Sequence, residues 1–274
     1  MPELSLFLPM LAMLLLIGAI AGVIAGLLGV GGGLILVPAF FYAFGALGYD
    51  SPQLMQICLA TSLSTIVVTS VRSVLAHNRK GAVDWAILKT WAPGLVLGAL
   101  VGVLVAAGLR SEVLQAIFGV LGVLAGGYLA FGRSGWRLAE TMPGGTLRAA
   151  LSSGVGFLAV LMGIGGGLFG VPLMTVYGQA IHRAVATAAG FGVLIALPSV
   201  IAFLLVDIPP AGRPPLTFGA VNLPAFAVIV GMTLLTTPLG VALAHRLDPK
   251  PLRRVFALFA IVVAGNMLRK AVGL

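Results

Sequence analysis

Two glycine runs are the stretches of this 274-residue chain whose residues are best suited to bind a ligand. Gly-Val-Gly-Gly-Gly-Leu-Ile-Leu-Val-Pro occupies residues 29–38, and Gly-Ile-Gly-Gly-Gly-Leu-Phe-Gly-Val-Pro occupies residues 163–172. Glycine lets a ligand approach the backbone closely because it has no Cβ atom. Each run precedes a short apolar segment, and the first N–H groups of a helix lack helical partners and attract anions. The pattern therefore predicts two backbone cradles for an anion.

We expect the anion-binding groups to lie in and beside these two runs. Glycine N–H groups would donate hydrogen bonds, threonine and serine hydroxyls would stand beside them, and one arginine would lie near the cytoplasmic end of the third apolar segment. The predicted substrate-binding residues are Gly31, Gly32, Gly33, Thr61, Ser62, Arg72, Gly165, Gly166, Gly167 and Thr187. A structural alternative stays open, because small residues also let membrane helices pack closely and hydroxyls also bond carbonyls of their own helix.

The sequence predicts no catalytic residue, metal site or cofactor. Its acidic residues lie at segment ends or in connections, which argues against a buried carboxylate proton relay. The 3 histidines and 1 cysteine lack the spacing of metal ligands. Neither glycine run continues into Gly-Lys-Ser/Thr, so a nucleotide-binding phosphate loop is excluded. A membrane enzyme is therefore disfavoured.

The elements that carry these residues are membrane helices. The chain is 60% hydrophobic and 8% charged, whereas a soluble domain carries roughly 25% charged residues. The apolar segments cover residues 6–28, 34–46, 54–75, 85–108, 114–131, 147–162, 168–177, 184–206, 223–244 and 252–268. The net charge of +9 is spread between these segments, so it indicates membrane topology. The predicted partners are a small anionic substrate and the lipid bilayer, without nucleic acid, and a homo-oligomer stays open.

The ten segments divide into two similar sets of five. Residues 1–131 are the predicted N-terminal repeat, 132–146 a cytoplasmic linker and 147–274 the C-terminal repeat. Ala-Thr-Ser at 60–62 matches Ala-Thr-Ala at 186–188. The clusters of lysine and arginine can all lie in the cytoplasm only if the two halves have opposite orientations. We therefore predict an all-α polytopic membrane protein with two inverted repeats of about five helical segments each; four spans per half is the alternative count.

The second segment of each glycine-containing pair is short. Residues 34–46 would form a helix of roughly 20 Å, less than the bilayer core of about 30 Å. Each pair is thus predicted to form a Gly-tipped broken or re-entrant hairpin that ends near the middle of the membrane. Two such tips that enter from opposite faces would meet there.

On these residues the chain resembles the TauE/SafE family of sulfite and organosulfonate exporters. The glycine runs, the 60–62 element and His-Asn-Arg-Lys-Gly-Ala-Val-Asp-Trp at 77–85 carry the resemblance, which covers nearly the whole chain. It implies a multi-pass permease of the prokaryotic plasma (inner) membrane for small sulfur-containing anions such as sulfite or organosulfonates. An anion channel, or a transporter of another small organic anion such as a carboxylate, stays an alternative.

Overall fold

The computed structural model describes residues 2–28, 33–131, 137–244 and 249–273. These residues form ten helices and one short β-hairpin, which confirms the all-α prediction. The helices are α1 (Pro2–Leu28), α2 (Gly33–Ala46), α3 (Leu54–Arg79), α4 (Trp85–Gly108), α5 (Ser111–Phe131), α6 (Gly145–Leu161), α7 (Gly167–Val176), α8 (Ile181–Leu204), α9 (Leu223–Ala244) and α10 (Pro249–Ala271). Two antiparallel strands, β1 (Thr217–Phe218) and β2 (Val221–Asn222), precede α9.

Helix length separates the spanning helices from the hairpin helices. Within the described ranges, α1, α3, α4, α5, α8 and α9 each contain a stretch long and apolar enough to cross a bilayer. Three apolar helices are shorter, namely α2, α6 and α7. Because a backbone polar group in lipid must find a partner inside the protein, a short helix at membrane depth has to end against other helices.

The third helix of one half lies antiparallel to the third helix of the other. The N–H of Asp84, just beyond the C-terminus of α3, donates to the hydroxyl of Thr187 near the start of α8. At the other end, the N–H of Asn222, beyond the C-terminus of α8, donates to the hydroxyl of Thr61 near the start of α3. Helices α5 and α10 are also antiparallel, since Gly119 packs on Leu268 and Gly126 packs on Ile261.

The remaining large contacts join a helix of one half to a parallel helix of the other. Helix α1 packs along α9, where Gly18 faces Met232 and Gly22 faces Thr236. Helix α4 packs along α6 in the same sense, where Gly94 faces Ser152 and Gly102 faces Val160. The two contacts are equivalent, because α6 matches α1 and α9 matches α4. Swapping the two halves turns the α1–α9 contact into the α4–α6 contact. With the antiparallel pairs, they show two inverted repeats wound around each other; the boundary at residues 132–146 stays a prediction.

The two ends of the bundle differ in charge. The end at which α3 finishes carries Arg79, Lys80, Arg148 and Arg183, and we call it the basic end. Arg183 pairs there with Asp84 at 3.5 Å. The connections 47–53 and 205–222 lie at the opposite end, where Gly212 packs on the Asp50 carbonyl.

Thr61 and Thr187 form a matched pair of links between the repeats. Their hydroxyls accept the N–H groups of Asn222 and Asp84 at 3.0 and 2.9 Å. Each accepting side chain is buried, and each donor residue also caps its own helix: Asp84 accepts from Ala86 and Ile87, and Asn222 accepts from Ala225. One threonine on the third helix thus holds the first turn of the other repeat's fourth helix.

Removal of either threonine hydroxyl should destabilise the protein by about 1 kcal/mol, because a backbone N–H is left without its acceptor. Thr61→Val should cost more than Thr187→Val, since the Asn222 N–H is fully buried and the Asp84 N–H only partly. Thermal unfolding of the purified protein, followed by tryptophan fluorescence, measures the difference. Thr61→Ser and Thr187→Ser keep the acceptor and serve as controls. Valine variants as stable as the serine variants would contradict this role.

Candidate functional site

The second glycine run forms the tip of a hairpin between α6 and α7. Helix α6 ends at Leu161, and Gly163 turns the chain with a φ of 59°, a conformation that favours glycine. The Gly163 carbonyl accepts a hydrogen bond from the Ser62 hydroxyl at 2.7 Å, which fixes the tip against α3. Gly166 occupies the N-cap position of α7, with no side-chain hydrogen bond to cap the helix. The first N–H groups of α7 therefore have no capping side chain.

This tip lies halfway along the two central helices. A Cβ atom added at Gly165 would lie 3.3 Å from Ile66, in the middle of α3. Gly166 packs so closely on Phe191, in the middle of α8, that an added Cβ atom would overlap the Phe191 Cβ. Since α3 and α8 each contain a membrane span, the tip is near mid-membrane, as predicted for a re-entrant hairpin.

The second tip also meets the start of α2. A Cβ atom added at Gly33 would lie 2.7 Å from the Gly163 carbonyl oxygen and 2.8 Å from the Ile164 Cα. Gly31 and Gly32 fall outside the described residues. The start of α2 in one repeat therefore abuts the turn that precedes α7 in the other.

A cavity of about 150 Å³ lies beside the second tip. Its wall contains Gly165, Gly166 and Gly167 together with six hydroxyl-bearing residues, and the rest of the wall is apolar. The hydroxyl groups belong to Thr65, Thr69, Ser70, Ser73, Thr233 and Thr237. Helices α3 and α9 thus supply the polar side chains, and the hairpin supplies bare backbone.

Three of these six hydroxyls already donate a hydrogen bond to a backbone carbonyl of their own helix. Thr65 donates to the Ser62 carbonyl, Thr69 to the Thr65 carbonyl and Thr233 to the Val230 carbonyl. In the described part of the chain, the hydroxyls of Ser70, Ser73 and Thr237 have no hydrogen-bond partner in the protein. Those three can donate to a ligand, because a hydroxyl hydrogen rotates to suit its acceptor.

The cavity extends from the tip toward the basic end. On α3 its lining runs from Thr65 to Ser73, and on α9 it runs from Thr233 to Thr237, so both runs point to the C-terminal ends of their helices. Toward the opposite end of the central helices, four apolar side chains are 0% exposed. They are Leu59, Leu63, Ile195 and Ala196. The described lining of the cavity therefore lies mainly in the half of the bundle nearer the basic end.

The structure places the predicted residues in three groups. Gly165, Gly166 and Gly167 line the cavity, and Gly33 abuts the tip. Ser62, Thr61 and Thr187 are buried and bond backbone groups, at Gly163, Asn222 and Asp84, and none of the three is in the cavity wall. Arg72 is exposed on α3, one helical turn beyond Thr69, and is also outside the wall. Their roles toward a substrate stay predictions.

Sequence reasoning did not select the three free hydroxyls. In the sequence, Thr65, Thr69 and Ser73 follow Thr61 at intervals of four residues, the spacing of one helix face, and Ser70 lies beside them. That continuation was a usable signal. Thr237 had none, since its position depends on the pairing of α9 with α1.

Comparison with known proteins gives a consistent result. Residues 14–267 match a family model described as sulfite exporter TauE/SafE. A probable membrane transporter protein of Haemophilus influenzae is 33% identical over 261 residues, which is 93% of this chain and 97% of that protein. A probable membrane transporter protein of Methanocaldococcus jannaschii is 26% identical over 90% of this chain and 91% of its own length. The matched proteins are transporters rather than enzymes.

Two neighbouring glycines should respond differently to the same change. Gly165→Ala should leave the fold intact and weaken anion binding, because its methyl group has few neighbours and lies at the cavity wall. Gly166→Ala should destabilise the protein by roughly 1–3 kcal/mol, because its methyl group overlaps Phe191. Thermal unfolding with and without sulfite separates the two effects. A Gly166→Ala protein as stable as Gly165→Ala would show that the hairpin is packed loosely.

Proposed function

The chain belongs to the TauE/SafE family of membrane transporters, and on that premise we propose that it moves small sulfur-containing anions, such as sulfite or organosulfonates, through the cavity at the second glycine tip. The observation that carries this proposal is the meeting of an uncapped helix start and three free hydroxyls in one mid-membrane cavity. A transporter for a small carboxylate uses the same chemistry and is the second candidate.

The binding chemistry suits an oxyanion. The start of α7 offers N–H groups and about half a positive charge, and glycine allows a close approach to them. Ser70, Ser73 and Thr237 add hydroxyl donors from two further helices. Because water is scarce at this depth, each hydrogen bond to the anion is stronger than it would be at the surface.

Buried apolar side chains between the cavity and the opposite end favour a transporter over a channel. A channel requires a continuous wet path, whereas Leu59, Leu63, Ile195 and Ala196 are 0% exposed beyond the cavity. Inverted repeats allow the opposite arrangement, in which each half adopts the packing of the other and the cavity opens at the other end. In the proposed cycle the anion binds from one side, the halves exchange packing, and the anion leaves from the other.

We place the protein in the prokaryotic plasma membrane with the basic end in the cytoplasm, because lysine and arginine are enriched in cytoplasmic connections. The cavity then faces the cytoplasm, which suits an exporter. Arg72 lies on the same half of α3 as the cavity and would attract anions toward its opening.

Purified protein in sealed lipid vesicles should catalyse saturable uptake of sulfite or methanesulfonate. Gly165→Ala should lower the rate at least about tenfold, because its methyl group blocks the backbone donors. Arg72→Gln should raise the KM for the anion, and Arg79→Gln, a change of the same charge at the end of α3, serves as its control. Flux that never saturates and appears as single-channel currents would show that the protein is a channel and not a transporter.

Ser73 and Ser199 allow a direct test of alternation. They are repeat mates at a shift of 126 positions (199 − 73, the same shift as 187 − 61), and Ser73 lines the cavity while Ser199 is 0% exposed. In a Cys58→Ala background, Ser73→Cys should react with a membrane-impermeant thiol reagent applied at the cytoplasmic face, and Ser199→Cys should not. An outward gradient of the transported anion should make Ser199→Cys reactive from the other face.

The background variant must first retain transport, which we expect because Cys58 is buried away from the cavity wall. If Ser73→Cys and Ser199→Cys react from the same face under the same condition, the two ends do not alternate. A Ser199→Cys protein that stays unreactive during measured transport would also reject the exchange of packing between halves.

A further inference from the structure

We propose that the cavity carries its solute as a monoanion and rejects dianions of the same size. This inference rests on the proposed anion transport. It specifies the charge of the substrate and leaves open which element, such as sulfur or carbon, is at the centre of the anion. Its basis is that every described residue in the cavity wall is electrically neutral. The wall consists of glycine, alanine, valine, leucine, isoleucine, serine and threonine, so no lysine, arginine or histidine side chain is in place to balance a second charge.

The positive charge available at the tip is that of helix N-termini. Helix α7 begins at Gly167 in the cavity wall, and α2 begins at Gly33 against the Gly163 carbonyl. Leu36, in the first turn of α2, belongs to the same wall. Each helix start is equivalent to about half an elementary charge, so the two together offset at most about one negative charge. A monoanion can be matched, whereas a dianion leaves at least one charge unbalanced at mid-membrane.

The unbalanced charge is costly because the surroundings are apolar. The cost of moving an ion out of water rises with the square of its charge, and hydroxyl groups recover only part of it. A site of this kind discriminates by charge even when two solutes have the same shape. A solute that titrates near neutrality would therefore be carried in its protonated, singly charged form.

The protein itself contributes no titrating group to the wall. On the cavity side, α3 carries Arg72, His77 and Arg79 and α8 carries His182 and Arg183, all outside the wall. Helices α7 and α9 carry no ionisable residue in their described ranges, and Glu3 of α1 and Tyr42 of α2 lie toward the opposite end. If the binding affinity changes at the pKa of the solute, the change therefore reflects protonation of the solute and not of a residue in the wall.

Methanesulfonate and methylphosphonate give a matched pair of probes. They have nearly the same size and shape, but methanesulfonate is a monoanion throughout the neutral range, whereas methylphosphonate changes from monoanion to dianion. Binding to the full-length protein is measured by thermal shift and by competition against uptake, at slightly acidic and slightly alkaline pH. We expect methanesulfonate to bind equally at both, and methylphosphonate to lose at least about tenfold in affinity at alkaline pH.

Each outcome decides a separate point. Methylphosphonate that binds equally or better as the dianion overturns the charge selectivity and leaves anion transport intact. Failure of both probes and of sulfite to bind or inhibit removes the anion site, and the selectivity with it. Equal losses for both probes at alkaline pH would assign the pH effect to the protein and reject the inference.

A lysine placed in the wall should relax the selectivity. Ser73 is half-buried near the opening of the cavity, so Ser73→Lys can place its ammonium group beside the solute without burying it completely. This variant should recover at least about tenfold in affinity for the methylphosphonate dianion relative to Ser73→Gln, a neutral control of similar length. Equal affinities in the two variants would show that wall charge does not control selection.

Discussion

Two helices of this protein begin inside the membrane, where no bulk water is available for their first N–H groups. The other features of the site follow from the need to accommodate these helix starts inside the membrane. Glycine makes this possible: Gly163 allows the turn of the hairpin, and Gly166 allows the start of α7 to pack directly on Phe191. The polar groups that remain face a small cavity with hydroxyls and no charge. Under the proposed function, the unpaired N–H groups at this depth make the cavity a place where a negatively charged solute is more stable than elsewhere in the bilayer.

The same bundle combines tight packing with an open site. Gly22, Gly98 and Gly166 each bring two segments so close that no Cβ atom would fit, whereas a Cβ atom at Gly165 would have one close neighbour, Ile66 at 3.3 Å, and lies at the cavity wall. Adjacent glycines in one run therefore differ: Gly166 is part of a close helix contact, whereas Gly165 lines the cavity, where its role in anion binding stays a prediction. Rigid contacts at Gly166 position the helix start, and the space at Gly165 keeps its backbone accessible. The proposed selectivity by charge rests on this division, since the described wall of the cavity contains a helix start and no ionic side chain.

Much of the fold could be predicted because lipid leaves so few choices for a backbone. The segment at 223–244 coincides with α9, and the segment at 85–108 coincides with α4. Helix α3 was predicted to end at 75 but continues to Arg79, because hydropathy detects only the lipid-immersed part of a helix. The site was harder to predict. The match of Thr61 with Thr187 was visible, but their partners at Asn222 and Asp84 depend on how the repeats interlock. Helix periodicity describes one face of one helix and contains no information about which distant helix covers it.

The interlocking of the repeats also determines the order in which the protein can be completed during synthesis. In the first half, α1 has its main partner in α9, α4 in α6 and α5 in α10. These three helices enter the bilayer well before their partners are translated. Until then their glycine faces, including Gly22 and Gly98, contact lipid or the insertion machinery instead of protein. A ribosome that stops after residue 131 therefore leaves not a smaller transporter but a group of helices whose main packing faces are uncovered, a feature by which quality control in the membrane could recognise it.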